Sequence, residues 1–270
     1  MTIANPSLSF DGTALMTLAY KVRALGLDES LPPRRGENVV VPGVAGQIYV
    51  AKELEQRTID MLMWVAAVGT AGGTTWAASS MGDNINTLTA LFGADGTHTI
   101  TRTRGTTALT GTVEVRDVRF TPGGAYHYDV AVSMVMPDPL WYAASATTVT
   151  SPFSSVPFDL SVSNVGTYQA ERAVVTIACA AGESITNPTI TCGATWVKYT
   201  GVVSAGQTLV IDCGAFTATK AGASVLSAIT HNSASTRWLI IPKGTNNVTV
   251  SADGISNGPD LTVTFSAPYL

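Results

Sequence analysis

The sequence predicts a mainly β protein with one α-helix, divided into two domains. Three observations predict it. Apolar residues recur with a period of two along most of the chain, one stretch switches to helical spacing, and the composition changes character after residue 142. At 270 residues there is room for two ordinary domains or one large β fold. Hydrophobic residues make up 46% and charged residues only 13%, well below the usual share. Such a chain can bury a large core but has little charge to cover a free surface, which favours lasting contact with other subunits. The net charge of −4 argues against sequence-independent nucleic-acid binding, which needs a basic stripe.

The period of two is clearest in "YHYDVAVSMVM". Tyr126, Tyr128, Val130, Val132, Met134 and Met136 share one face, with His127, Asp129 and Ser133 on the other. In "RTIDMLMWV", Ile59, Met61, Met63 and Val65 point inward, which leaves Leu62 and Trp64 on the side that should be wet. That side is too apolar for a solvated sheet, so either a second layer or another subunit covers it. The helix is expected over 81–92, where Met81, Ile85, Leu88 and Phe92 form one stripe. Ser80 with Asp83 resembles a capping box and Gly93 follows as a C-cap. "AKELEQ" is the other stretch with helix formers.

The corner "PDPLWY" ends sheet pairing, because neither Pro137 nor Pro139 has an N–H to donate. Leu140, Trp141 and Tyr142 follow at once and are costly if left wet. Asp138, Pro139, Leu140, Trp141 and Tyr142 are therefore expected to form the junction that closes a first domain, 1–142. Residues 143–157, small, hydroxylated and punctuated by proline, read as a linker. Over 158–270, short β runs alternate with Gly, Asn and Pro turns, the spacing of an antiparallel sandwich.

Chemistry is harder to find. Cys179, Cys192 and Cys213 lack metal-ligand spacing, and each ends a strand-like run on its apolar parity. They are expected as buried free thiols in a reducing compartment, with one disulfide as the alternative. His98, His127 and His231 form no ligand pair and are expected at the surface. Asp253, Asn257 and Asp260 lack calcium-loop spacing and read as a turn. No nucleophile elbow or phosphate loop occurs, and no apolar run is long enough for a membrane span. The N-terminus lacks a basic segment followed by an apolar one, so no secretory route is expected. No catalytic residue, cofactor or metal is assigned, although scattered carboxylates leave a β-sandwich hydrolase open. Trp196, Lys198 and Tyr199 are the candidates for a sugar contact, while Trp238 precedes an apolar run and is expected in the core.

Four features in order resemble the distal tail proteins, or the closely related minor tail proteins, of long-tailed siphovirus-type phages. "RRGENVVVPGVAGQIYV", Arg34 to Val50, is similar to an opening common in tail proteins of phages infecting actinobacteria. The short helix lies inside an otherwise β first domain. "EVRDVRF", a Gly turn, "YHYDVAVSMVM" and "PDPLWY" resemble the close of that family's first domain. "NVGTYQAERAVVTIA", "TNPTITC", "GQTLVID" and "IPKGTNNVTV" resemble its galectin-like second domain.

The resemblance implies a split-barrel or β-sandwich ring-forming domain followed by a galectin-like sandwich. It implies association head to tail about a six-fold axis in the virion tail tip, after synthesis in the host cytoplasm. The implied partners are the chain itself, the tail tube protein, the hub or tail-associated protein, the tape measure and receptor-binding proteins. DNA would pass through the channel without specific binding, and no membrane insertion is implied. Leu62 and Trp64 are then the expected subunit patch. The rival readings are a carbohydrate-binding module of the virion and a tail-tube-like subunit.

Overall fold

Alternation of β-branched, aromatic and hydroxylated residues makes this chain fold as pleated ribbons whose two faces differ chemically. The computed structural model describes residues 7–27, 30–39, 42, 45–46, 49–50, 52–68, 78–124, 126–233 and 235–270. Strands account for 55% of it and helix for 7%. Two compact units result, the first ending at Trp141 and including Leu270, the second spanning Tyr142–Tyr269.

The first unit contains β1 (Leu8–Phe10), β2 (Thr13–Ala14), β3 (Tyr20–Leu27), β4 (Arg34–Arg35), β5 (Glu53–Leu54), β6 (Arg57–Ala66), α1 (Ala78–Phe92), β7 (His98–Arg104), β8 (Thr107–Gly124) and β9 (His127–Met136). Its antiparallel sheet runs β2-β1-β7-β8-β9-β6-β3. The long strand β8 makes the sheet curl into a half-barrel. Thr107–Val113 pairs with β7, whereas the remainder pairs with β9, and the register shifts between Val115 and Asp117. A bulge of this kind bends the strand and increases its twist. Asp11 and Gly12 both have positive φ, the requirement of the tight Asp-Gly turn that joins β1 to β2.

Ile59, Met61, Met63 and Val65 of β6 pack with Val130, Val132, Met134 and Met136 of β9 in the core, as the alternation predicts. Helix α1 covers that core with Met81, Leu88 and Phe92. It starts three residues earlier than expected, so Ser80 lies inside it and caps nothing. Asn84 fixes the helix instead: its buried amide donates to the carbonyls of Ala66 and Val68, each at 2.8 Å. "AKELEQ" supplies an extended pair, with β5 against β4, because Arg34 and Arg35 offer it a partner strand.

The second unit holds β10 (Trp141–Ala143, shared at the boundary), β11 (Thr147–Pro152), β12 (Phe158–Asn164), β13 (Val174–Ala178), β14 (Ser184–Thr186), β15 (Thr189–Cys192), β16 (Thr195–Tyr199), β17 (Val202–Val203), β18 (Thr208–Asp212), β19 (Thr217–Lys220), β20 (Ala223–Ser224), β21 (Ile229–His231), β22 (Gly244–Ser251), β23 (Gly254–Ser256), β24 (Asp260–Phe265) and β25 (Pro268–Tyr269). It is the antiparallel sandwich the spacing predicts. One sheet runs β11-β24-β13-β18-β19-β20, the other β12-β22-β15-β16-β21, with a small third sheet β17-β14-β23. Their inner faces share one apolar cluster that includes Val175, Ile211, Leu261, Ile190, Val197 and Val250. Cys179, Cys192 and Cys213 are buried free thiols in that cluster, and burial pushes the Cys213 thiol up to about 12.

The segment expected as a linker, 143–157, needs correction. Thr147–Pro152 is an edge strand fully paired with β24. Hydroxyls of Thr148 and Thr264 meet at 3.1 Å, and those of Thr150 and Thr262 at 2.8 Å. Threonine is a strong strand former when a neighbour supplies the ladder, so a composition that looks like a linker can read as sheet. Pro152 is tolerated because it closes an edge strand.

Candidate interaction site

Sheet alternation places Asp60, Leu62 and Trp64 on the outward side of β6. Directly opposite on β9 stand Ser133, Ala131 and Asp129, and Lys21 of β3 faces Trp64 from the other side. Leu62 is 47% exposed, so no second layer among the described residues buries it. Trp64 is half-buried and forms one wall of a hollow of about 650 Å³, lined also by Arg23, Tyr126, His127 and Asp129. The Arg23 guanidinium pairs with the Asp129 carboxylate beside it. The His127 ring leans on Gly123 and Gly124, where a Cβ would come within 2.4 Å and 3.0 Å of it. Those glycines let the β8–β9 hairpin fold its histidine flat, and Tyr126 stays 57% exposed at the rim.

Two aromatics, an imidazole and one ion pair make an open, largely apolar recess. It suits a bulky apolar side chain offered by another surface. Among the described residues there is no cluster of His, Cys, Asp or Glu that could hold a metal. Trp64 was singled out by its misplaced parity. Nothing local in the sequence marks Arg23, Tyr126 and Asp129, because Arg23 and Asp129 meet across 106 positions and no local pattern announces such a contact.

His98 is not at the surface as expected. Its ring is 7% exposed, with Nδ1 at 2.7 Å from the Asp11 carboxylate and Nε2 at 2.9 Å from the Ala94 carbonyl. It also stacks on Phe10 at 5.0 Å between ring centres. The Asp11 carboxylate raises the His98 pKa, against burial, and the Ala94 carbonyl adds to the rise. Burial works to raise the Asp11 carboxyl, but the Thr99 N–H and the His98 ring outweigh it and hold it below its ordinary value. This is a structural clamp between the first hairpin and the end of α1. His127 lines the hollow, and His231 is half-buried, its Nδ1 at 3.1 Å from the Asn232 carbonyl.

At the junction the two aromatics part company. Trp141 is buried in the first unit over Gly111, where a Cβ would lie 3.4 Å from the indole, and the Arg102 guanidinium sits 4.2 Å above the ring. Tyr142 belongs to the second unit, with the Arg172 guanidinium 5.2 Å from its ring. Leu140 is buried, Asp138 and Pro139 are half-buried, and Asp138 accepts a long bond from the Leu140 N–H at 3.4 Å.

The candidate sugar trio is split by its own strand. Trp196 and Lys198 lie on the outward side of β16, but Tyr199 is 3% exposed and packs in the core. Adjacent strand residues point to opposite faces, so the three cannot share a surface. Trp238 is in the core, edge-on to Phe216 at 5.6 Å.

No protein-family model and no curated protein matches this sequence. Solved structures do. The chain superposes on the Dit (gp 19.1) protein of phage SPP1, described as a paradigm of the hub adsorption apparatus in phages infecting Gram-positive bacteria. That match has a TM-score of 0.70 at 16% identity and covers 98% of this chain and 99% of the other. At that identity the likeness is one of fold, and it extends through both units. Chains from the phage P2 baseplate in its activated conformation, with Ca and with Sr, match at TM-scores of 0.43 and 0.42 and 10% identity. These cover 96% of this chain and 97% and 98% of theirs.

Proposed function

We propose that this chain is a structural component of a phage tail tip. It forms a ring through its first domain, joins tail tube to hub there, and offers its second domain for attachment of host-recognition proteins. The observation that carries the reading is the end-to-end likeness in fold to the SPP1 Dit protein, from a hub adsorption apparatus. The Arg34–Val50 stretch favours an actinobacterial host.

Surface chemistry supports the same reading. A closed ring needs two different patches, one to meet the other on the neighbouring copy. The first unit exposes Leu62 beside the Trp64 hollow. It also exposes Leu31, Val39, Tyr49 and Val50, which flank β4 and β5 in sequence, at 71%, 49%, 72% and 41%. Exposed apolar area of this kind on a chain with only 13% charged residues is characteristic of a subunit surface. The acidic balance of both halves suits a channel that lets DNA pass.

Light-scattering mass across a concentration series, with negative-stain images of the largest species, tests the reading. A closed particle of about 170 kDa, roughly six copies of the 28.0 kDa chain, is expected. A chain that stays monomeric alone and also in the presence of its tail-tube and hub neighbours overturns it.

A further inference from the structure

We propose that the outward face of the β12-β22-β15-β16-β21 sheet is a binding site for a neutral glycan, with Trp196 as its stacking platform. The register builds this site from residues far apart in sequence. Asp159 lies opposite Thr249, Thr249 opposite Thr191, and Thr191 opposite Trp196, forming one row across four strands. Three strand spacings make that row about 14 Å long, the span of a short oligosaccharide. A second row, Ser251, Thr189, Lys198 and Thr230, runs beside it, and Asn247 flanks Asp159 from the same face.

The polar groups are partly organised and partly open. Asp159 accepts from the Thr249 hydroxyl at 2.6 Å and lies 3.5 Å from the Asn247 amide, which orients its carboxylate and leaves lone pairs toward solvent. The Thr191 and Thr189 hydroxyls, the Lys198 amine and the Trp196 indole N–H have no protein partner among the described residues. Trp196 is half-buried, so its ring is held by the sheet while part of it faces water.

One aromatic among hydroxyls, an amide and a carboxylate matches a sugar ring, which has an apolar C–H face and a rim of hydroxyls that both donate and accept. A protein partner would want a larger apolar patch, and a nucleic acid a basic one. The face carries one acid and one base, so a neutral ligand fits its charge.

This inference goes beyond the ring reading and does not depend on it. The test is an array of immobilised neutral and acidic mono- to tetrasaccharides, probed with the full chain, with affinities of any hits measured by calorimetry. Binding to at least one neutral glycan is expected, weakened about tenfold or more by Trp196→Ala and by Asp159→Asn. Thr191→Arg removes nothing from the core, fills the row, and is expected to abolish binding while the melting profile is unchanged. Three results each overturn the proposal: no neutral glycan bound by the wild type, binding confined to acidic glycans, or binding untouched by Thr191→Arg. The particle mass is measured on the same variants, so failure here is distinguishable from failure of the ring reading.

Discussion

Two sheet faces in this chain obey the same alternation and end up chemically unlike. In the first unit the outward side of β6 carries Leu62 and Trp64 beside an open hollow. In the second unit the outward side of β22, β15 and β16 carries Thr249, Thr189, Thr191, Lys198 and a single Trp196. Both lie opposite inner faces that are apolar but for Arg57 in the first unit and Thr195 in the second, so burial within the chain does not explain the contrast. What differs is the partner each face is fit to meet. Large apolar groups left wet are costly unless another protein surface removes them from water. Hydroxyls left wet cost nothing and remain available for a hydrogen-bonding ligand.

The comparison breaks first at Trp64. Trp64→Asp should abolish the large species in light scattering while both units still fold by circular dichroism. The same charge placed at Trp196 should leave particle mass unchanged. If Trp64→Asp assembles normally, the hollow is not the subunit contact. Leu62→Asp, at the margin of the hollow, should weaken assembly less.

Changes to the inner faces should act on stability and on one unit alone. Gly111→Val places a Cβ 2.2 Å from the Met136 methyl and crowds Trp141 in a packed core. A cost of about 1–3 kcal/mol is expected, seen as a lower melting step of the first unit only. Asn84→Ala leaves the buried Ala66 and Val68 carbonyls without their donor and should cost about 1–3 kcal/mol in the same step. A shift of both steps together would mean that the units do not melt independently.

The smallest effect is pH dependence at His98. Its folded pKa is raised above 6.5, so its stabilisation is complete below 6.5 and is lost as pH rises through the folded value. Asp11 is held below 3.8, so its contribution is present above that value and is lost as pH falls through the depressed one. The melting temperature of the first unit should therefore be highest between those ranges and decline on the alkaline side. His98→Gln should flatten the alkaline decline and shrink the acid limb to the part that the Thr99 N–H sustains at Asp11. An unchanged alkaline limb would assign it to other groups.

Much of the fold was legible because it rests on local periodicity. The alternation in Arg57–Ala66 and His127–Met136, the single helical stripe from Met81 to Phe92, and the apolar parity of all three cysteines were readable from spacing alone. The candidate site was legible only through Trp64, an apolar residue on the wrong parity. Its companions Arg23, Tyr126 and Asp129 were not, since a recess depends on how a sheet curls. His98 was misread for the same reason: its two acceptors come from a turn 87 positions away and from the end of the helix.

The sequence by itself determined which side chains share a face, because pleating fixes that residue by residue. The tertiary structure alone decided which faces are covered, that Thr147–Pro152 is a strand rather than a linker, and that of the two faces of β16 the one with Tyr199 is buried and the one with Trp196 is not. It also decided that Trp141 and Tyr142 serve different units. The physical reason is common to all four. A strand's hydrogen bonds and burial are completed by partners from distant sequence, and no short stretch specifies which partner will arrive.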